Sequence, residues 1–202
     1  MKKQRHILQI TNRLSAFIII ILLLPNIIIA QNFFYLNAEK SNVRVNGTSS
    51  LHDWSMQAKK IESSLDANIS NNELTDLSNV NFVCKVIGIV SKEKDMDKKA
   101  YNALKYEKNP EIKFKMQKIE NLVSKGGILS GSIYGDLTIA GKTNRISFPF
   151  KGKLVANSLI TIEANYKINM LDYSIDPPTA MLGMLKTGKD VTITLLLNYI
   201  NK

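Results

Sequence analysis

The chain has 202 residues, with 27 Lys and Arg against 17 Asp and Glu and a formal net charge of +10 at pH 7. It has one Cys and two His, too few for a disulfide framework or a zinc site built from Cys and His, so we expect no metal and no cofactor. No phosphate-binding glycine loop, HExxH, GxSxG or CxxC motif occurs, which disfavours most hydrolase and redox chemistry.

Residues 1–30 have the composition of an export signal. They contain four basic residues and no acid, and their apolar run ends in Ile28-Ile29-Ala30. The apolar block of residues 14–24 is interrupted by Pro25-Asn26 and is shorter than the ~20 residues of a membrane-spanning helix. We therefore predict a signal peptide cleaved near Ala30 rather than a membrane anchor, one mature domain over residues 31–202, and a periplasmic or secreted location.

The charge of the mature domain argues against one class of partner. Because four of the 27 basic residues lie in the leader, the net charge of residues 31–202 falls to +6, which is too mildly basic to indicate nucleic-acid binding. Residues 92–118 hold nine Lys against five acids. A solvated surface explains this segment. The alternative is an anion-binding patch, in which Lys98, Lys99 and Lys105 make transient contact with an anionic membrane surface.

Beyond residue 40, apolar and polar side chains alternate strictly, which is typical of half-buried strands. About eight such segments occur, and one-sided burial favours antiparallel sheets. A long strand over residues 54–69 changes parity near Lys59-Lys60, where we expect a β-bulge. One helix is predicted over residues 95–106, with Asp95 as its N-cap and Met96, Ala100, Ala103 and Leu104 in an apolar stripe. The pattern predicts an all-β barrel or sandwich.

The interior of this domain is apolar, but periodicity leaves its filling open. Gly88, Gly131, Gly135 and Gly152 fall on inward positions, where glycine marks either a strand bend or room for a ligand. An eight-stranded barrel is either packed with side chains or holds one small ligand. We expect a single shared interior formed by Phe82, Phe114, Ile133, Phe148, Tyr166 and Leu195.

Five segments between residues 36 and 198 contain distinctive motifs. The most distinctive is the run Gly47-Thr48-Ser49-Ser50-Leu51-His52-Asp53-Trp54. The others are Met96-Asp97 with Ala103-Leu104-Lys105-Tyr106, Asn109-Pro110-Glu111-Ile112-Lys113-Phe114, Gly135-Asp136-Leu137-Thr138-Ile139-Ala140-Gly141-Lys142-Thr143, and Pro177-Pro178 with Leu185-Lys186-Thr187-Gly188. These segments resemble those of the YceI-like family, in the order in which the family has them.

The resemblance implies an extended, lipocalin-like antiparallel β-barrel with one short helix. It also implies an exported carrier or sequestering protein that holds a long isoprenoid or acyl chain inside the barrel. Burial of such a chain is worth about 0.8 kcal/mol per CH₂. The residues expected to bind the lipid are His52, Trp54, Phe82, Val86, Phe114, Gly131, Ile133, Gly135, Phe148, Phe150, Tyr166, Met181 and Leu185.

Two residues and two competing functions stay open at this point. His52 either binds a polar head at the barrel mouth or bonds within a turn beside Trp54. Cys84 lies on an apolar face, where a thiol usually acts as a small hydrophobe. The alternative to a carrier is a non-enzymatic structural or interaction barrel with a packed core. An enzyme is disfavoured, because no carboxylate faces inward unless the alternation is broken.

Overall fold

The computed structural model describes residues 31–180 and 183–201, so the predicted signal peptide lies outside the described residues. The described part has one α-helix, α1 (Lys94–Ala103), and turns of 3-10 helix at Ala38–Lys40, Val86–Gly88 and Met170–Tyr173. The strands are β1 (Gln31–Leu36), β2 (Asn42–Ser49), β3 (Trp54–Ala58), β4 (Ile61–Ser70), β5 (Glu73–Lys85), β6 (Ile89–Val90), β7 (Glu111–Lys125), β8 (Ile128–Ile139), β9 (Lys142–Val155), β10 (Leu159–Asn169), β11 (Thr179–Ala180) and β12 (Leu185–Asn201).

Antiparallel pairing closes the sheet into an eight-stranded barrel. The order is β1-β4-β5-β7-β8-β9-β10-β12, and β12 pairs back onto β1 with Leu36 opposite Tyr199. The short strands β2, β3 and β6 continue the same ladders beside the first half of β12. Residues 31–49, 54–70 and 73–90 are therefore three long strands, each interrupted once. The expected lipocalin-like barrel of about eight strands with one short helix is confirmed.

The predicted bulge near Lys59-Lys60 is an interruption between β3 and β4. Ala58 pairs with Ile89 and Ile61 pairs with Cys84. Between these two pairs, the chain from β3 to β4 has two residues, 59 and 60, and the chain from β5 to β6 has four, residues 85–88. The extra residues therefore belong to the neighbouring strand. They form the 3-10 turn Val86–Gly88, which ends β5 earlier than the alternation predicts. The Lys59 N–H still donates to the Gly88 carbonyl at 2.8 Å.

Inward-facing side chains form one apolar core. Burial alternates without exception along the inward and outward positions of β9 from Arg145 to Val155. Phe114, Ile133 and Phe148 are buried in the core, and Phe82, Tyr166 and Leu195 are partly buried against it. The predicted shared interior is therefore confirmed. Burial of each large apolar side chain contributes roughly 1.5–3 kcal/mol relative to exposure.

Helix α1 begins one residue before the predicted start. Its N-cap is Glu93, which makes no side-chain capping bond, so the expected cap at Asp95 is wrong. The Asp97 carboxylate instead accepts a hydrogen bond from the Ser91 N–H at 2.6 Å and ties the first turn to the preceding loop. Lys105 follows the helix with φ of +54°. No helix within the described residues has the length and hydropathy needed to cross a membrane.

Candidate ligand-binding site

An apolar cavity of about 290 Å³ lies inside the barrel at the end where β12 begins and β10 finishes. Its walls are aliphatic side chains at the ends of several strands. They face the barrel mouth because alternate residues of each strand point inward. Helix α1 and the turn between β2 and β3 cover it. The aliphatic wall includes Val45, Ile112, Ile139, Ile168, Val191 and Ile193.

Helix α1 covers the cavity with the apolar stripe that the sequence predicts. Met96, Ala100 and Ala103 all line the cavity. Few polar bonds hold this cover in place. The Tyr101 hydroxyl donates to the Ile87 carbonyl at 3.3 Å, and Lys105 Nζ donates to the Ser174 carbonyl at 3.0 Å. Apolar contact therefore supplies most of the attachment of α1 to the barrel.

The turn that joins β2 to β3 is organised by Ser49. Its Oγ donates to the His52 carbonyl at 2.7 Å and accepts the N–H groups of Leu51 and His52, both at 3.2 Å. The exposed His52 ring places Nδ1 2.8 Å from the Asp53 carbonyl oxygen. His52 also lines the cavity. The local bonds match the structural alternative for this residue.

Trp54 forms a wall of the cavity and explains the glycine in the motif. Its Nε1 donates to the Thr48 carbonyl at 2.9 Å, which fixes the indole across the last part of β2. A Cβ at Gly47 would lie 2.2 Å from Cζ2 of this ring. Only glycine leaves room for the indole at this point of the strand.

The rim of the cavity carries charges of both signs. Lys99 and Lys186 lie on it beside Glu93 and Asp95. Lys98 is not among the residues that line the cavity and makes an exposed ion pair with Asp95 at 3.8 Å. Such surface pairs contribute little, about 0–1 kcal/mol. The mixed rim suits a polar or zwitterionic head as well as an anionic one.

Three aromatic rings pack against one another in the core, outside the residues that line the cavity. Phe114 follows Ile112 on β7 and Tyr166 precedes Ile168 on β10, in each case by two residues. Phe148 of β9 bridges them, with ring centroids 5.8 Å from Phe114 and 5.7 Å from Tyr166. Burial raises the pKa of the Tyr166 phenol, which is therefore neutral at physiological pH. We call Phe114, Phe148 and Tyr166 the aromatic layer.

Two inward glycines hold aromatic rings rather than open space. A Cβ at Gly135 would lie 2.4 Å from Cζ of Phe114 and 2.6 Å from the Lys115 carbonyl oxygen. A Cβ at Gly131 would lie 2.9 Å from Cε1 of Phe150. The rings fill the volume that the missing side chains leave, so these glycines belong to the packed part of the interior.

Only three of the thirteen predicted lipid-binding residues lie in the cavity wall. His52, Trp54 and Leu185 line the cavity. Val86 is buried in the turn after β5, where its N–H donates to the Pro110 carbonyl, and Met181 lies outside the described residues. The others lie in the barrel core but not in the cavity wall; they are Phe82, Phe114, Gly131, Ile133, Gly135, Phe148, Phe150 and Tyr166.

The sequence pattern does not identify the wall residues at the strand ends. Ile112, Ile139, Ile168 and Ile193 all fall on inward faces, but alternation does not state how deep in a barrel each position lies. A usable signal is that these residues lie at the strand ends nearest the predicted helix and the His52 turn. The helix and the turn are recognised as lying at the same end of the barrel only when the register of the strands is known.

The described residues offer little reactive chemistry near the cavity. Burial raises the pKa of the Cys84 thiol to about 12, so it stays protonated and is a poor nucleophile. Within residues 31–180 and 183–201, no three His, Cys, Asp or Glu side chains are grouped so as to hold a metal ion. The geometry is that of a site that binds by burial and shape.

Comparison with protein families identifies the domain. The model for the YceI-like domain matches residues 34–199. The chain belongs to the YceI-like family. The match spans the segments that carry the sequence resemblance, and that resemblance is thereby confirmed. Among curated proteins, no relative matches this chain.

Solved structures with this fold include other YceI-like barrels. A polyisoprenoid-binding domain from Saccharophagus degradans, implicated in plant cell wall breakdown, has a TM-score of 0.67 at 12% identity, covering 84% of this chain and 98% of its own. BcnA of Burkholderia cenocepacia has a TM-score of 0.65 at 14% identity, covering 81% and 98%. The Campylobacter jejuni YceI protein has a TM-score of 0.57 at 19% identity, covering 71% and 82%. At these identities the likeness concerns the fold.

Proposed function

We propose that this YceI-like protein binds an isoprenoid or acyl chain in the end cavity and acts as an exported carrier. The observation that carries the proposal is the covered apolar cavity of about 290 Å³ between α1 and the strand ends. Burial of apolar surface is its only large source of binding energy, because polar groups lie at the rim. The Saccharophagus domain with the same fold is described as polyisoprenoid-binding, which supports this ligand class.

The polar and charged residues at the rim support one direction for the proposed bound chain. His52, Lys99 and Lys186 lie where the cavity meets solvent. A polar head remains hydrated there while its tail occupies the aliphatic interior, because burying an unpaired polar group is costly. The ligand therefore enters tail first, with its head beside the His52 turn.

Export and membrane contact complete the carrier role. The basic, acid-free leader with its interrupted apolar run supports cleavage near Ala30. Lys98 and Lys99 are exposed on the helix that covers the cavity, so contact with an anionic membrane surface would bring the mouth close to lipid. Lys105 bonds the Ser174 carbonyl and contributes less freely to such contact.

N-terminal sequencing tests export by cleavage. The sequence of the exported protein should begin within a few residues of Gln31; an intact Met1 on membrane-retained protein would contradict export by cleavage.

Native mass spectrometry tests the carrier role. Protein purified from a membrane-containing host should carry added mass from a retained lipid. Ala100→Trp fills the cavity from the α1 side and should abolish that mass, since Ala100 lines the cavity. Lys98→Trp is the matched control, because it adds the same ring to the exposed face of the same helix. Equal lipid loss in both variants, or no lipid in the parent, would contradict the proposal.

The second candidate is a scaffold whose barrel is filled and which acts through its surface. The aromatic layer and the rings seated on Gly131 and Gly135 favour it, because they show that much of the interior is already packed. The two candidates differ at the end cavity. A scaffold gains stability from Ala100→Trp and never retains lipid, whereas a carrier loses its ligand in the same variant.

A further inference from the structure

The outer face of the barrel carries a row of apolar side chains at the end away from the cavity. Tyr35 of β1 is paired with Ile200 of β12, which is paired in turn with Leu159 of β10. Leu159 is paired with Val155 of β9. Outward residues of β1 and β8 extend this series. We call the whole set the outer apolar row: Phe33, Tyr35, Ile128, Val155, Leu159 and Ile200.

The outer apolar row is exposed although its members are apolar. Phe33 and Tyr35 are 42% and 46% exposed, and their rings meet edge to face with centroids 4.5 Å apart. Val155 and Ile128 are 48% and 56% exposed. The row crosses five neighbouring strands, which is roughly 19 Å at about 4.8 Å per strand. Contiguous apolar patches mark interaction surfaces, whereas apolar residues exposed singly need no explanation.

The charges beside the outer apolar row nearly balance. Lys125 and Lys153 are both paired with Ile128 at one end of the row. Asp66 is paired with β1 at the aromatic end, and the Glu73 carboxylate interacts electrostatically with Lys125. Charges of both signs suit the zwitterionic headgroups of a neutral bilayer and give no preference for an anionic partner. Apolar contact therefore has to supply most of the binding energy at this surface.

We propose that the outer apolar row docks the barrel on the surface of a lipid bilayer. Its four most exposed members offer roughly 300–400 Å² of apolar surface, below the ~800 Å² per partner of a stable protein interface. The outer face of a closed barrel is also convex, so two rigid copies would meet along a narrow line. A fluid bilayer deforms around such a surface and favours aromatic side chains at its interface. This contact lies at the opposite end of the barrel from α1 and does not depend on lipid binding in the cavity.

Vesicle flotation tests the docking surface. Delipidated mature protein should bind vesicles of phosphatidylcholine alone, because apolar contact needs no anionic lipid. Tyr35→Ser should weaken this binding about tenfold, and Val155→Ser several-fold, since each removes apolar area from the interface. Leu196→Ser is the matched control and should bind like the parent, because Leu196 is an exposed outward residue of β12 that Asn198 separates from the row. Thermal melts check folding, and Phe33→Ser replaces any row variant that does not fold.

Three outcomes would overturn the docking proposal. The first is no binding of the parent to phosphatidylcholine vesicles, or equal binding by the Tyr35 and Leu196 variants. The second is binding that requires phosphatidylglycerol and is lost only in Lys98→Gln with Lys99→Gln, since the contact would then be at the mouth. The third is a parent dimer in sedimentation velocity that becomes monomeric in Tyr35→Ser, since a second copy would then cover the row. Retained lipid mass should be the same in Tyr35→Ser as in the parent, which separates loss of docking from loss of the carrier function.

Discussion

The barrel interior contains two regions that the same alternating strands produce in different ways. The cavity region, at the α1 end, is walled by aliphatic side chains such as Ile112, Ile168 and Ile193 and covered by a helix. The packed region, which includes the aromatic layer, contains Leu129 and Ile160 with no exposed surface. Alternation sends side chains inward equally in both. Side-chain size and the element that closes the end decide which region is filled.

The ends of the two regions are also closed differently. The packed region ends in tight strand connections, where the Leu154 N–H donates to the Gly127 carbonyl at 2.8 Å and the Asn201 N–H donates to the Ser158 carbonyl at 3.0 Å. The cavity region is closed by α1, which is held mainly by apolar contact. A cover without a dense hydrogen-bond network opens at lower cost than a hairpin, and low local stability is typical of ligand-gating elements. The comparison therefore predicts a rigid region and an accessible one.

The largest effect is expected from a charge placed in the packed region. Phe148→Asp buries an unpaired carboxylate among rings and should cost more than about 4 kcal/mol, enough to unfold the domain. Ser147→Asp, which is exposed on the outer face of the same strand, should be nearly neutral. Thermal and denaturant melts compare the two. A Phe148→Asp protein that melts like the parent would show that this position is not inside the barrel core.

Truncation of one aliphatic side chain in each region should give a smaller and unequal effect. Leu129→Ala leaves a void in the packed region and should cost about 2–5 kcal/mol. Ile193→Ala, in the cavity wall, should cost less than about 2 kcal/mol, because part of its surface already lacks packing partners. The free energy of unfolding of the delipidated variants provides the measurement. Equal losses would mean that the cavity region is as tightly packed as the rest.

Adding side chains at the inward glycines tests the packing of the same region by overfilling it rather than by leaving a void. Neither Gly131 nor Gly135 has a positive φ, so the φ angles of these two residues do not by themselves exclude Leu. If these glycines bordered empty space, the double change to Leu would stabilise the barrel. Because Phe150 and Phe114 occupy that space, we expect destabilisation of about 1–3 kcal/mol per site. Adding Phe114→Ala to Gly135→Leu should recover part of the loss, and a stabilised double variant would contradict the packing of these rings.

The sequence predicted the fold and the inward faces but not the division between the two regions. Strict alternation, as along β9, identifies the strands and their inward faces from neighbouring residues alone. The glycine turns between them indicate antiparallel pairing. The depth of a position depends on register, as Ile112 and Phe114 show: both face inward, two residues apart, yet Ile112 lines the cavity and Phe114 belongs to the packed core. Periodicity carries no information on register, so the predicted site included residues from both regions.

The turn that contains His52 also shows what residue types alone do not predict. Its residue types indicated a site, and His52 and Trp54 do line the cavity. Their local bonds, to the Asp53 and Thr48 carbonyls, follow from turn geometry that residue types do not specify. The glycine interior was ambiguous for a similar reason: Gly135 leaves a gap in its own strand, and only the paired strand shows that Phe114 fills it.

The smallest effect concerns the outer surface where the cavity region begins. Glu111 starts β7 beside Ile112 and pairs across the sheet with Lys85 of β5 and along its own strand with Lys113 at 2.8 Å. Hydrogen bonds from Lys113 and Lys85 lower the pKa of its carboxyl from 4.5 to about 2. A carboxylate whose pKa is lower in the folded state adds stability above its unfolded pKa and loses it as pH falls.

The stability difference between the parent and Glu111→Gln should therefore be constant at neutral pH and vanish between pH 4.5 and about 2. The effect should be small and should shrink in high salt, because the group is at the surface. Denaturant unfolding of both proteins across this pH range measures it. A stability difference that persists at about pH 2 and in high salt would show that Glu111 acts through packing rather than through its charge. Contacts other than the apolar cover and this surface charge pair would then stabilise the cavity region.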